Sequence, residues 1–169
     1  ASYASDMSEI YQRELSLAEK SQRPEFPPLK SRALSLSRTN LIQKYSYVDP
    51  LKMIRSDLLQ KALEIYDQNE STFPNRDYVT VIDFSKNSQW SRLFIIDMKT
   101  GEVESLHTAH GEGSDLDDDG QADRFSNISG SKQSSLGIYR TAETYSGSFG
   151  YSLRLDGLSK TNSNVRKRA

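Results

Sequence analysis

Near Pro74 the apolar residues of this chain change period, and that change bounds the fold more tightly than any other feature. Before it, Leu58, Leu59, Ala62, Leu63 and Tyr66 recur at helical spacing. Ser56 stands where a cap belongs and Asp57 sits in the first turn, so the spacing predicts an amphipathic helix reaching the Asn69 region. After it the residues become β-branched and aromatic. Tyr78 to Phe84 (YVTVIDF) reads as a strand, Arg92 to Asp97 (RLFIID) as a second and Val103 to Ala109 as a third. Met98-Lys99-Thr100-Gly101 between the last two is a hairpin turn whose glycine can take a positive φ. Leu136 to Thr141 and Gly150 to Leu155 read as further strands, with Tyr145 to Ser148 turning between them. Helices first and antiparallel strands second predict an α+β class: N-terminal helices followed by an antiparallel β-sandwich or open barrel. Five strands of this length make two small sheets with no closing strand, so the core reads as incomplete.

Upstream, residues 5–20 predict a helix capped by Ser5 or Asp6, with Met7, Ile10, Tyr11, Leu17 and Ala18 on one face. Residues 21–29 hold three of the five prolines and read as a linker. Residues 30–46 are rich in Ser and Arg and lean helical from Leu34 to Tyr45, and Asp49-Pro50 marks a turn. The division expected is an arm over 1–43 and a second unit over 44–169. A hydrophobic content of 35% and a mean hydropathy of −0.70 fit a modest core with long solvated segments.

The balance of charge, −1 over 169 residues, carries no nucleic-acid footprint, and no apolar run approaches a transmembrane length. With no cysteine, these residues contain no disulfide, no thiolate metal site and no thiol nucleophile. Two histidines leave little for a zinc site. The opening Ala1-Ser2-Tyr3-Ala4 suits the start of a mature secreted chain.

The polar stretch from His107 to Tyr139 holds both histidines and the densest carboxylate cluster. Asp115, Asp117 and Asp119 alternate, Gly120 follows where a calcium loop turns sharply, and Asp123 falls at the ninth position of such a loop. The twelfth position is Ser126, which cannot supply the bidentate carboxylate, so the match to a Ca2+ loop is partial. Read instead as solvated, the same carboxylates form local turns partly neutralised by Arg124 and Lys132. His107 and His110, three apart on a predicted strand, would point to opposite faces and share no metal. His110, beside Gly111 at the strand end, is the one expected to reach a cleft.

Four blocks then line up in order: VIDFSKNSQWSRLFIIDMKTGEVESLHTAHGEGSD, DRFSNISGSKQSSLGIYRTAETYSG, GYSLRLDGL and NSNVRKRA. Together with KYSYVDP before the capped helix, they resemble the murein L,D-transpeptidase catalytic-domain family, in its Gram-negative branch with a long Asp-rich loop. The resemblance runs from about Lys44 to the C-terminus and leaves 1–43 outside. It implies a β-sandwich cysteine acyl transferase in the periplasm. There, a thiolate attacks the peptide bond after the third residue of a peptidoglycan stem tetrapeptide, releases D-Ala and forms a thioester. An amine from a neighbouring stem then resolves the thioester to a cross-link, or water resolves it, giving carboxypeptidase activity. No cofactor is required. The resemblance also implies that Ser134-Ser135-Leu136-Gly137-Ile138-Tyr139 forms a strand lining the donor cleft, flanked by Tyr151 and Arg154. Arg154 would suit a terminal carboxylate of the stem peptide. His110, Ser135, Tyr139, Tyr151 and Arg154 are thus the expected substrate contacts. Aromatic sheet packing and a surface arginine are the plainer alternative for each.

The departure from the family is sharp. Its base lies in a His-Gly motif and its nucleophile in a Ser-x-Gly-Cys motif, both beyond the position of Ala169. His107 and His110 belong to the earlier Ala-His-Gly-Glu-Gly block, so no catalytic residue carries over. Three explanations stay open: a truncated or nicked piece of a longer enzyme, with Arg166-Lys167-Arg168 a protease-sensitive end; a degenerate relative; or a chain completed by a C-terminal fragment or partner polypeptide. Under each, these 169 residues alone are expected to be inactive. The alternative function is a non-catalytic peptidoglycan-binding or regulatory module of the same fold, able to bind calcium.

Overall fold

The computed structural model describes residues 38–147 and 150–168. The helix expected over 5–20 and the proline linker over 21–29 lie outside the described residues. Among the described residues two helices, α1 (Arg38–Lys44) and α2 (Ser56–Asn69), precede five strands: β1 (Tyr78–Ile82), β2 (Leu93–Asp97), β3 (Val103–Leu106), β4 (Tyr139–Gly147) and β5 (Gly150–Gly157). The class is α+β, with antiparallel sheets of three strands (β1-β2-β3) and two (β4-β5). Among the described residues no strand closes either sheet into a barrel.

The core forms where α2 covers one face of the three-stranded sheet. Leu63 and Tyr66 from the helix meet Val81, Phe94 and Ile96 from alternate strand positions, with Leu41, Tyr45, Val48, Ile54 and Met98 closing the cluster. Tyr66 stands edge-on to Tyr45 at 6.2 Å and tilts against Phe73 at 6.4 Å. The chain enters α2 through Asp49, which takes the left-handed φ of 54° and accepts the N–H groups of Met53 and Ile54. The Asp49-Pro50 turn expected from the sequence is therefore a side-chain-locked bend.

Ser56 does not cap α2. Arg55 takes the cap position because its carbonyl already accepts the Leu59 N–H, and its own side chain pairs with Asp57 at 2.6 Å. The hairpin at Gly101 is as read: φ is +80°, and a Cβ there would come within 2.2 Å of the Tyr47 carbonyl oxygen.

The first strand stops at Ile82 instead of Phe84, the second starts at Leu93 instead of Arg92 and the fifth runs to Gly157 instead of Leu155. Three larger differences from the sequence reading have identifiable causes. The third strand stops at Leu106 instead of Ala109. Its last ladder bond is Arg92 N–H to Leu106 O; beyond it the Arg92 guanidinium, not a backbone amide, holds the chain at Thr108. Leu136 to Ile138 is not strand, because Gly137 takes φ +138° and the Ile138 backbone bonds to Ser159, Leu158 and Asn162 of the C-terminal segment. The residues read as a turn, Tyr145 to Gly147, continue β4 instead, pairing Ser146 with Tyr151 and Gly147 with Gly150.

The β4–β5 ribbon has two unlike faces. One carries Arg140, Tyr145, Arg154 and Asp156, and Arg166 from the C-terminal turn closes on it. Arg166 bonds both Glu143 and Asp156, Arg140 bonds Asp156 at 3.0 Å, and Arg154 stacks over Tyr145 at 4.3 Å. Arg166 holds the Glu143 carboxyl below its ordinary range; for Asp156, burial opposes ionisation but Arg166 and Arg140 outweigh it, and its pKa also falls. The opposite face shows Tyr151, Leu153 and Leu155, which are 80%, 47% and 37% exposed.

Candidate functional site

Arg92 organises the polar loop from a position wholly inside the protein, at 0% exposure. Its Nε donates to Thr108 O at 3.0 Å, one terminal nitrogen to Lys86 O at 3.0 Å and the other to His110 Nδ1 at 2.8 Å. The guanidinium also lies 5.2 Å from the Phe84 ring centroid. A guanidinium only donates, so His110 Nδ1 must be the unprotonated nitrogen and Nε2 carries the hydrogen. That N–H faces Asp115 Oδ2 at 3.3 Å. Both ring nitrogens are thus engaged by protein, and the His110 side chain is only 10% exposed.

Asp115 in turn shapes the acidic turn. Its Oδ1 accepts the Asp119 N–H at 3.2 Å and its Oδ2 the Gly120 N–H at 2.8 Å. Burial works against its charge, but those N–H groups and the His110 ring outweigh it and hold the carboxyl below the usual range. Asp118 and Gly120 adopt left-handed φ values of 56° and 86°, which fold the turn tightly enough to gather carboxylates. One carboxylate oxygen from each of Asp115, Asp117 and Asp119 lies within 4.8 Å of the other two, an arrangement that can hold a divalent cation. Asp123 is not in that cluster. Its backbone N–H binds Ser114 O instead.

The rest of the loop is braced rather than draped. Ser114, fully buried, takes the Asp123 and Arg124 N–H groups on its carbonyl and the Ser134 N–H on its hydroxyl. Gly111 N–H donates to Ser134 Oγ, and Gly113 N–H to Lys132 O. Cβ atoms at Gly111 and Gly113 would fall 2.3 and 2.5 Å from backbone carbonyls, so the two arms of the loop touch backbone to backbone. The acidic turn is tied to the β1–β2 connection by Asn87 Nδ2 to Asp119 O and by Ser88 N–H to Gly120 O. Arg168 anchors the far arm at Ser126 O and Gln133 O.

The five expected substrate residues do not converge on one wall. His110 sits with Arg92 and Asp115. Ser135 and Tyr139 meet each other, the Tyr139 hydroxyl donating to Ser135 O at 2.7 Å and lying 2.5 Å from Ser135 Oγ. Tyr139 pairs with Gly157 at one end of the ribbon, and Tyr151 pairs with Ser146 near the other, about 20 Å along the strand. Tyr151 and Arg154 also point to opposite faces of β5. His107 is not on a strand; it is exposed in the loop with Nε2 3.0 Å from Gln89 O. Arg92 was missed as a functional residue. In the sequence it is one polar residue at the head of an apolar strand, and nothing local marks it as buried.

A family model described as the L,D-transpeptidase catalytic domain matches residues 51–169. The chain belongs to that family, one of cell-wall transferases whose substrate is peptidoglycan. No curated protein and no solved structure matches the chain. Among the described residues no helix is long and apolar enough to cross a membrane.

Proposed function

We propose that these residues form the substrate-side portion of a periplasmic peptidoglycan L,D-transpeptidase whose cysteine nucleophile and histidine base come from polypeptide outside them. The carrying observation is the family match over residues 51–169 in a sequence without cysteine. Thioester chemistry needs a thiolate, so these residues alone cannot open the stem peptide. The exposed row Tyr151, Leu153 and Leu155, together with Ile82 and Leu106 on the outer face of the three-stranded sheet, supports the reading. Such surfaces are what a completing C-terminal segment would cover.

The test uses disaccharide tetrapeptides and mass spectrometry. The 169 residues alone should release no D-Ala and carry no acyl adduct. The polypeptide isolated from its source should continue past Ala169 into His-Gly and Ser-x-Gly-Cys motifs and release D-Ala. Release by the 169 residues alone would sink the assignment. A source polypeptide that ends at Ala169 yet binds sacculi would favour the second reading, a non-catalytic wall-binding module, which the missing thiol also supports.

We further infer that the acidic turn holds Ca2+ through Asp115, Asp117 and Asp119. Millimolar calcium should raise the thermal midpoint by several degrees, reversibly with EGTA, as binding to the folded state alone requires. The double substitution Asp117→Asn with Asp119→Asn should abolish that rise. An unchanged midpoint in the native chain would remove calcium from the account.

A further inference from the structure

We propose that an open groove beside Trp90 is a docking site for the glycan strand of peptidoglycan, with an N-acetylated amino-sugar ring lying against the indole. The groove, about 700 Å³, runs between the β1–β2 connection, the outer end of the sheet and the acidic turn. Phe94 and Met53 contribute to its apolar lining, and Lys86, Trp90, Ser91, Ser105 and Gln121 give the rest its character. This rests on the peptidoglycan reading above and adds a contact surface lined by none of the five residues expected to touch the stem peptide.

Three observations carry it. Trp90 is 68% exposed, a large apolar surface left in water on a loop that is otherwise fastened down. That loop is held by Trp90 N–H to Asn87 O, by Gln89 N–H to Asn87 Oδ1, by Asn87 Nδ2 to Asp119 O and by the Arg92 guanidinium on Lys86 O. The indole is therefore presented on a rigid support, which lowers the ordering cost of binding.

The second observation is the polar lining. The side chains of Ser91, Ser105 and Gln121 have no protein partner among the described residues, so two hydroxyls and a carboxamide remain available at the groove. Neutral donors and acceptors beside a flat apolar ring suit a sugar, whose C–H face is apolar and whose rim is hydroxyls and acetamides.

The third is charge. Lys86 is the one charged residue among those lining the groove. Its Nζ lies 4.7 Å from the Phe94 ring centroid, and among the described residues it has no carboxylate partner. A single free cation fits the lactyl oxygens of muramic residues and disfavours a cationic ligand.

Trp90 is the only tryptophan in the chain, so its fluorescence reports on the groove alone. Glycan strands stripped of stem peptides should give a saturable change in emission, while free stem tetrapeptide should give none. Trp90→Ala should reduce retention on immobilised stripped strands at least tenfold, Gln121→Ala severalfold, and Trp90→Phe should keep part of it. Because Trp90 is exposed, circular dichroism of each variant should match the parent. No saturable change with stripped strands, or full retention of Trp90→Ala, would overturn the assignment. If intact sacculi retain the chain while stripped strands do not, the groove assignment fails and the peptidoglycan reading survives. If neither is bound, both fail.

Discussion

Replacing Arg92 by methionine is expected to cost about 3 kcal/mol of stability and to lower the thermal midpoint by roughly 6–12 °C. The side chain is fully buried and satisfies three acceptors: Lys86 O, Thr108 O and His110 Nδ1. Methionine fills similar length but donates nothing. The three acceptors would then stand in a site with little water, each open to a penalty of about 1–3 kcal/mol before relaxation. His110 does not recover the loss by changing tautomer, because the Asp115 carboxylate still accepts from its Nε2–H. Lysine should not rescue, because an ammonium cannot reach three acceptors in a planar fork. Urea titration measures the cost, and the side-chain 15N shifts of His110 report the tautomer. Nδ1 should be the unprotonated nitrogen in the parent and stay so in Arg92→Met, where Asp115 still accepts from Nε2–H. A variant within about 0.5 kcal/mol of the parent, inside the range of ordinary surface changes, would mean that the guanidinium is not the organiser of the loop.

Gly157→Ala should be destabilising by about 2–3 kcal/mol, at the upper end of overpacking effects. An added Cβ would lie 1.9 Å from the Asn162 carbonyl oxygen, which belongs to backbone and cannot swing away. Asn162 is itself pinned. Its Oδ1 accepts the Ser159 N–H at 2.8 Å, its Nδ2 donates to Ile138 O at 2.8 Å, and it is 0% exposed. Relieving the overlap means moving the turn that satisfies the start of β4, and with it Arg166 over the ribbon. Gly130→Ala is the comparison. That glycine takes φ +78°, a conformation that strains alanine and not glycine, with open space around it, so alanine there should cost only about 1 kcal/mol. Equal urea midpoints for the two variants would show that backbone contact at Gly157 is not what limits the site.

Those two positions show where reading the chain succeeds and where it stops. The helix from Ser56 to Asn69, the β-meander, the Gly101 turn and the two-sheet division were legible because each follows from local periodicity or from a residue's own backbone limits. The family was legible because motif order survives in the chain itself. Strand ends were not. Leu106 ends β3, and Leu136 to Ile138 stays outside β4, because side chains distant in sequence, Arg92 and Asn162, take the backbone groups that a longer ladder would use.

The candidate site divides along the same line. Alternating Asp115, Asp117 and Asp119 before Gly120 announces a carboxylate-gathering turn from spacing alone, since the geometry is set within six residues. His110 also stood out by type, but its setting did not. Its two nitrogens are engaged by Arg92 across the sheet and by Asp115 across the turn. Likewise Tyr139 and Tyr151 look like neighbours in a motif, yet antiparallel pairing places them near opposite ends of one ribbon. Residue order carries element types, turns and family, because those are encoded over a few adjacent positions. Burial of an arginine, the tautomer of a histidine and the placing of Trp90 and Gln121 along one groove depend on contacts between distant segments, and only the folded chain brings those together.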